Sequence, residues 1–379
     1  MKKYVLLTAA FTLLATSVFA GKTTFHTLDN GLQVILKENH AVPLISSVVV
    51  VKAGSKYEND SNNGFTHLLE HMLFNGTETK TREDINEGIK NFGGYINAFT
   101  RQEMTGYLVV MPKEFIAEGM DIQSDQLFRS LLPAEVMSYY KEYYVPNNMI
   151  AFVSGDFETG KMLELVKKYY GTVPAGKQPK LEEFEISPPW GTEIHIKEYP
   201  AKVTHVDISI PGPLYNDPDY FAFDVLSQIL NSDTSPLSKA LTDGEAPLAT
   251  EVYVGLNMQK EFTMMDISIK SNDPANVEPI VRAAIGSLTG LTQISFTADD
   301  IRRVVVPNKV YEIKLEEKLH YYGIMKAAIL ATAGFKFLDK YVDYLSGVTP
   351  EEVNSVVKKY FAEPKYVACA LASTGKVEK

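Results

Sequence analysis

Apolar and polar residues alternate on both sides of Asp29-Asn30-Gly31 in "TTFHTLDNGLQVILKENH", which predicts a β-hairpin with that tripeptide as its turn. "LISSVVVVKAG" has no polar alternation and predicts a strand buried on both faces. "GFTHLLEHMLFNGT" reads as a helix, as does "REDINEGIKNF", which stops at Gly93-Gly94. "YINAFTRQEMTGYLVVMP" predicts a strand pair or a bent strand. Helical spacing of apolar residues follows in "KEFIAEGMDIQSDQLFRSLL" and "PAEVMSYYKEYY". The strand "NNMIAFVSGD" and the amphipathic helix "ETGKMLELVKKYYG" close this region.

Residues 172–190 are rich in Pro, Lys and Glu and predict a linker. After it the pattern restarts, with strands in "AKVTHVDISIPG" and "ATEVYVGLNMQKEFTMMDISIKS". Helices are expected in "PDYFAFDVLSQIL", "VEPIVRAAIGSLTGL" and the long run from "ADDIRRVVV" to "ILAT". An internal repeat links the two regions. "LPAEVMSYYKEYYVPNNMIAFVSGD" lies over "TPEEVNSVVKKYFAEPKYVACALAS", with Pro133 on Pro350, Glu135 on Glu352, Val136 on Val353, Ser138 on Ser355, Lys141 on Lys358 and Tyr143 on Tyr360. Each region opens on Pro-then-strand, at Pro43 and Pro200. From there to the repeat is 90 residues in the first region and 150 in the second. The expected fold is therefore α+β, two homologous halves with antiparallel-rich sheets flanked by helices, the first half shortened by about 60 residues near Leu132-Pro133. The boundaries are a leader at 1–20, a first domain at 21–171, the linker at 172–190 and a second domain at 191–379.

Composition narrows the function classes. The 379 residues hold 47 Asp and Glu against 37 Lys and Arg, a net charge of −10 without basic runs. That balance argues against nucleic acid and against an anionic membrane surface as partners. "MKKYVLLTAAFTLLATSVFA" has two lysines, an apolar run and small residues ending at Ala20, the pattern of a secretory signal. A periplasmic or secreted protein is expected, with no membrane span once the signal is cleaved. Cys369 is the single cysteine, so no internal disulfide is available, and its apolar neighbours in "KYVACALAS" predict a buried core residue.

The chemistry sits in "GFTHLLEHMLFNGT". On a helix His67 and His71 are one turn apart and face the same way, so both imidazoles can bind one zinc ion. Glu70 lies beside them, where a carboxylate can take the proton of a zinc-bound water. The H-x-x-E-H order is that of the inverted zincins.

"GFTHLLEHMLFNGT", "GGYINAFTRQEMTGY" and "YYVPNNMIAFVSGDF", in that order, resemble the insulinase, pitrilysin and mitochondrial processing peptidase family. The resemblance covers nearly the whole chain after the leader. It implies a clam-like chain whose first half holds zinc and whose second half closes over an unfolded peptide. It makes His67 and His71 zinc ligands and Glu70 the general base. It also makes Asn97 and Ala98 part of a strand that pairs with substrate backbone, although apolar alternation explains a core-facing strand there equally well.

Two departures stand against that pattern. The resemblance implies a third zinc ligand, a glutamate on a later helix, and "DQLFRSLL" here runs directly into "PAEVMSYY" with that helix missing. Glu103, Glu135 and Glu142 are the acidic residues that could substitute, none at the implied spacing, and His26, His40, His195, His205 and His320 are scattered. In the second half the substrate-contacting run of some relatives is replaced by "SPLSKAL", with Pro236 and Ser238 where an arginine and a tyrosine are expected. Some secreted relatives divide these roles between homologous subunits, so a heterodimer partner is implied. Two functions follow. One is a zinc metalloendopeptidase of the cell envelope acting on peptides or unfolded segments, with weakly bound zinc. The other is a non-catalytic peptide-binding or structural partner subunit. An internally deleted copy of an active parent is a third reading of the seam. Loss of a helical layer is also expected to expose apolar surface on the first sheet and on "EGMDIQSDQLF".

Overall fold

The computed structural model describes residues 23–179, 191–316 and 318–375. The leader and the linker segment 180–190 lie outside the described residues.

The first half begins with the hairpin β1 (Thr23–Thr27) and β2 (Gln33–Glu38), then β3 (Leu44–Val51), α1 (Phe65–Met72) and α2 (Arg82–Lys90). The hairpin β4 (Tyr95–Thr100) and β5 (Thr105–Pro112) follows, then α3 (Ile116–Arg129), α4 (Ala134–Tyr143), β6 (Met149–Gly155) and α5 (Thr159–Tyr170). The second half contains β7 (Ile194–Tyr199), β8 (Thr204–Gly212), α6 (Tyr220–Leu230), α7 (Pro236–Thr242), β9 (Glu251–Met258), β10 (Thr263–Ser271) and α8 (Val277–Gly290). It ends with α9 (Ala298–Glu316), α10 (Leu319–Thr332), α11 (Gly334–Gly347), α12 (Pro350–Phe361) and β11 (Val367–Ser373). The long helical run expected from "ADDIRRVVV" to "ILAT" is thus two helices, and α11 is a helix that the sequence pattern did not single out.

Strand order shows the duplication. The first sheet runs β1-β2-β6-β3-β5-β4 and the second β7-β11-β8-β10-β9. With β1 set aside, β2, β6, β3, β5 and β4 correspond in order to β7, β11, β8, β10 and β9. In each sheet the first pair of this series is parallel and the other pairs are antiparallel. The two helices before the repeated segment, α3 and α8, are each 14 residues long.

The halves differ in one place. Four residues, 130–133, join α3 to α4, whereas 59 residues, 291–349, join α8 to α12. The longer connection carries α9, α10 and α11, and it leaves and returns at one spot. The turn Leu291–Gln293 packs on α12, and the Phe296 amide donates to Asn354 Oδ1 of α12 at 3.1 Å. An excursion with adjacent ends can be absent without parting the helices that flank it. The short joint in the first half is well anchored. The Leu131 amide donates to the Gly76 carbonyl at 3.2 Å, and Tyr140 Oη to the Leu127 carbonyl at 2.8 Å.

The expected apolar exposure on the first sheet and on "EGMDIQSDQLF" does not occur. Most of α3 is buried, from Ile116 to Leu127. The outer face of the first sheet, with Val48, Val50, Leu108, Val110, Ile150 and Phe152, is covered by α10 from the second half through Tyr322, Ala327 and Leu330. Gly323 allows this approach, because a Cβ there would stand 2.2 Å from Val48 Cγ2. Among the described residues no helix layer covers the matching face of the second sheet; its centre is polar, while Leu371 stands exposed on β11. By register Ser209, Asp266 and Ser268 take the places of Val48, Leu108 and Val110. Ser209 Oγ donates to Asp266 and Ser268 Oγ to Asp207, each at 2.6 Å. Cys369 stands on this face and is exposed, which corrects the expectation of a core cysteine. Ala368 and Ala370 on either side of it point into the core instead.

The two homologous hairpins meet at their tips. Lys56 Nζ donates to Glu103 Oε1 of the β4–β5 tip at 2.9 Å and also binds Glu261 of the β9–β10 tip. Counted from Thr105 and Thr263, which open the second strand of each hairpin, Glu103 and Glu261 are equivalent positions. Glu103 is buried and also accepts from the Lys260 amide at 2.9 Å and from Thr332 Oγ1.

Two outcomes test this architecture. Gly323→Ala lowers stability by about 1–3 kcal/mol through overpacking against Val48, although alanine is the better helix former by about 1 kcal/mol; urea midpoints give the sign. Lys56→Met strands Glu103 without its cation and costs about 3–5 kcal/mol, whereas exposed lysines such as Lys90 cost little on the same titration.

Candidate metal centre

Local sequence sets the start of α1. Gly64 has φ +89°, a left-handed conformation that favours glycine, and stands at the N-cap. The Glu58 carboxylate accepts from the Gly64 and Thr66 amides, each at 2.7 Å, and so satisfies donors that the first helical turn leaves open. Leu69 and Leu73 are fully buried beneath the helix. Thr66 Oγ1 shares a hydrogen bond of 2.8 Å with Tyr139 Oη on α4. Tyr139 stacks on Tyr143, and Tyr143 on Tyr57. Burial holds the Tyr139 hydroxyl well above its ordinary pKa, so it stays protonated and able to donate. The layer that supports α1 therefore begins immediately after the short joint, at α4.

His67, Glu70 and His71 lie together, with ligand atoms within 4.8 Å of one another. Both histidines are exposed and Glu70 is half-buried. The two Nε2 atoms stand 3.2 Å apart. On a tetrahedral zinc with Zn–N of about 2.0–2.1 Å, two imidazole nitrogens are about 3.3–3.4 Å apart, so the pair has the bite for that ion. Thr100 Oγ1, at the end of β4, donates to Glu70 Oε2 at 2.6 Å and fixes the carboxylate. β4 is the outermost strand of its sheet, with β5 on one side only. Asn97 is exposed on it, whereas Ala98 is buried against the core. A free strand edge thus runs up to the carboxylate of the triplet.

The donor set fits zinc in bite and falls short in number. Among the described residues no other His, Cys, Asp or Glu joins the cluster. Glu103 is committed to Lys56 and the second half, and Glu135 and Glu142 lie exposed on α4. The sequence reading did not find Glu58, Thr100 or Tyr139. Thr100 had a signal, since it ends the "INAFT" segment. The bond from Thr66 to Tyr139 spans 73 positions and left none.

Comparison with known proteins places this arrangement. The insulinase (peptidase family M16) model matches residues 33–148 and the peptidase M16 inactive-domain model matches residues 130–305. The chain belongs to the insulinase family. The zinc protease YmxG of Bacillus subtilis, itself uncharacterized, is 22% identical over 409 aligned positions, which take in 92% of this chain and 98% of that protein. Since 92% of 379 residues is about 349, roughly 60 of those positions have no residue here, in keeping with the short joint. The mitochondrial ubiquinol-cytochrome-c reductase complex core protein I of Euglena gracilis is 27% identical over 270 residues, covering 56% of this chain and about half, 54%, of that protein. A crystal structure of a protease from Helicobacter pylori shares the fold, with a TM-score of 0.83 and 18% identity over 93% of this chain and 99% of that one. Among the described residues no helix of this insulinase-family chain is long and apolar enough to cross a membrane.

Glu58→Ala removes both acceptors at the start of α1 and costs about 1–2 kcal/mol. Amide exchange at Thr66–Leu69 then speeds up more than exchange in α3.

Proposed function

We propose that this chain is a peptide-binding member of the insulinase family, built on the plan of a zinc metalloendopeptidase, that hydrolyses peptides far more slowly than a relative with a complete site. One observation carries the reading: the only metal-capable cluster among the described residues is His67, Glu70 and His71, all on one helix, with no ligand from a later helix. Zinc, when bound, would polarise a peptide carbonyl and acidify a water. In the family role His67 and His71 hold it and Glu70 is the base. Two imidazoles alone leave an ion's position and its open sites loosely set, because ligand number and outer partners fix both. The free edge of β4 with Asn97, ending at Thr100 beside Glu70, suits an extended peptide added as a strand. The leader sequence supports a place in the cell envelope.

A second reading has its own support. The match to an inactive-domain model, and a relative named as a core protein of a complex, favour a non-catalytic partner subunit that pairs with a homologous chain.

An assay with an unstructured peptide, with added zinc and with chelator, tests the proposal. Expected is saturable binding by fluorescence anisotropy and cleavage no more than about tenfold above the chelated background, with activity rising when a helix-bearing segment from an active relative is inserted between Leu132 and Pro133. Zinc-dependent cleavage at a relative's rate, from the chain as it stands, would show the site to be complete.

A further inference from the structure

The short joint leaves the histidine pair without a later-helix ligand, and the bite of that pair still suits zinc. We propose that Glu70 is the third metal ligand in this chain and not a general base, so that the triplet forms a metal site without hydrolytic function. The proposal rests on the reading that His67 and His71 hold the metal.

Three observations support it. The Glu70 carboxylate is the only anion in the cluster, within 4.8 Å of both imidazoles. Two neutral imidazoles leave both positive charges of a divalent ion uncompensated, and such an ion dominates the local field. The Thr100 hydroxyl engages Oε2 at 2.6 Å, which leaves Oε1 as the oxygen free to coordinate. A hydrogen bond from an outer group to a ligating carboxylate is the usual support of a metal site. Two histidines and one glutamate are also a donor set that zinc uses elsewhere. Here all three would come from positions i, i+3 and i+4 of one helix. A carboxylate that coordinates the metal cannot also take the proton of a metal-bound water, so metal retention and loss of hydrolysis have one cause.

Lys52 faces a cleft of about 450 Å³ beside the α10–α11 turn, with its pKa lowered by burial and by Lys260, and no built set of ligand-binding groups accompanies it. Asp224 is buried at the cleft between the halves, but Gln228 and Tyr341 already bond to it.

Zinc titration calorimetry and visible spectra of the cobalt(II) form test the proposal on the full chain, with Glu70→Gln and with the double variant His67→Ala/His71→Ala. Glu70→Gln is expected to raise the zinc Kd by about 100-fold or more, at or beyond the upper end of the 10–100-fold loss typical of an outer partner, and to shift and weaken the cobalt d–d bands. Cobalt bands unchanged in Glu70→Gln, with zinc binding still abolished in the double variant, overturn the proposal and leave the histidine site standing. Zinc binding untouched by the double variant overturns both. Should Glu70→Gln fail to fold by circular dichroism, Glu70→Asp serves the same comparison by shortening the reach of the carboxylate.

Discussion

The first sheet is apolar on both faces, and an apolar face left in water costs about 25 cal/mol for each Å². Its inner face is covered by helices of its own half. Its outer face is covered by α10, which belongs to the other half and seats Gly323 over Val48. The first half is therefore not closed without the second. The tips of the two homologous hairpins reinforce this joint through one lysine, Lys56, shared by Glu103 and Glu261.

The same constraint explains why the first half can be shorter than the second. The outer face of the first sheet does not draw its cover from the region between α3 and α4. The outer face of the second sheet, where a pseudosymmetric layer would lie, is surfaced with Ser209, Asp266, Ser268 and Lys270. Ser209 and Ser268 bond to Asp266 and Asp207 there, so the centre of that face is satisfied without a cover, while Leu371 and Cys369 of β11 stand exposed beside it.

Much of the fold was legible because it is local. The Asp29-Asn30-Gly31 turn, the valine run of β3 and the triplet on α1 follow from residues that are neighbours in sequence. The duplication was legible from Pro133 and Pro350 because both open the same helix–strand unit. Other features were not, because they join distant segments. The run "YYGIMKAAILAT" reads as a helix, yet nothing in it says that it covers a sheet formed some 200 residues earlier. Cys369 was misread because alternating alanines made the whole strand look buried, when only every second residue faces the core. The short joint between α3 and α4 was legible as a spacing. The commitment of Glu103 to the opposite half was not, since Lys56 and Glu261 reach it from elsewhere in the chain.

The joint at residues 130–133 has a consequence for how such a family changes over time. In the second half, the excursion between α8 and α12 returns to its starting point, so it behaves as a cassette, but one whose α10 is also the cover of the first sheet. In the first half the four-residue joint closes the frame with no such cassette. If the cassette of the first half is where hydrolysis is completed, its loss can abolish hydrolysis and leave the fold intact. Selection can then act on each alone, and a lineage that sheds the cassette retains a folded scaffold open to a new occupation.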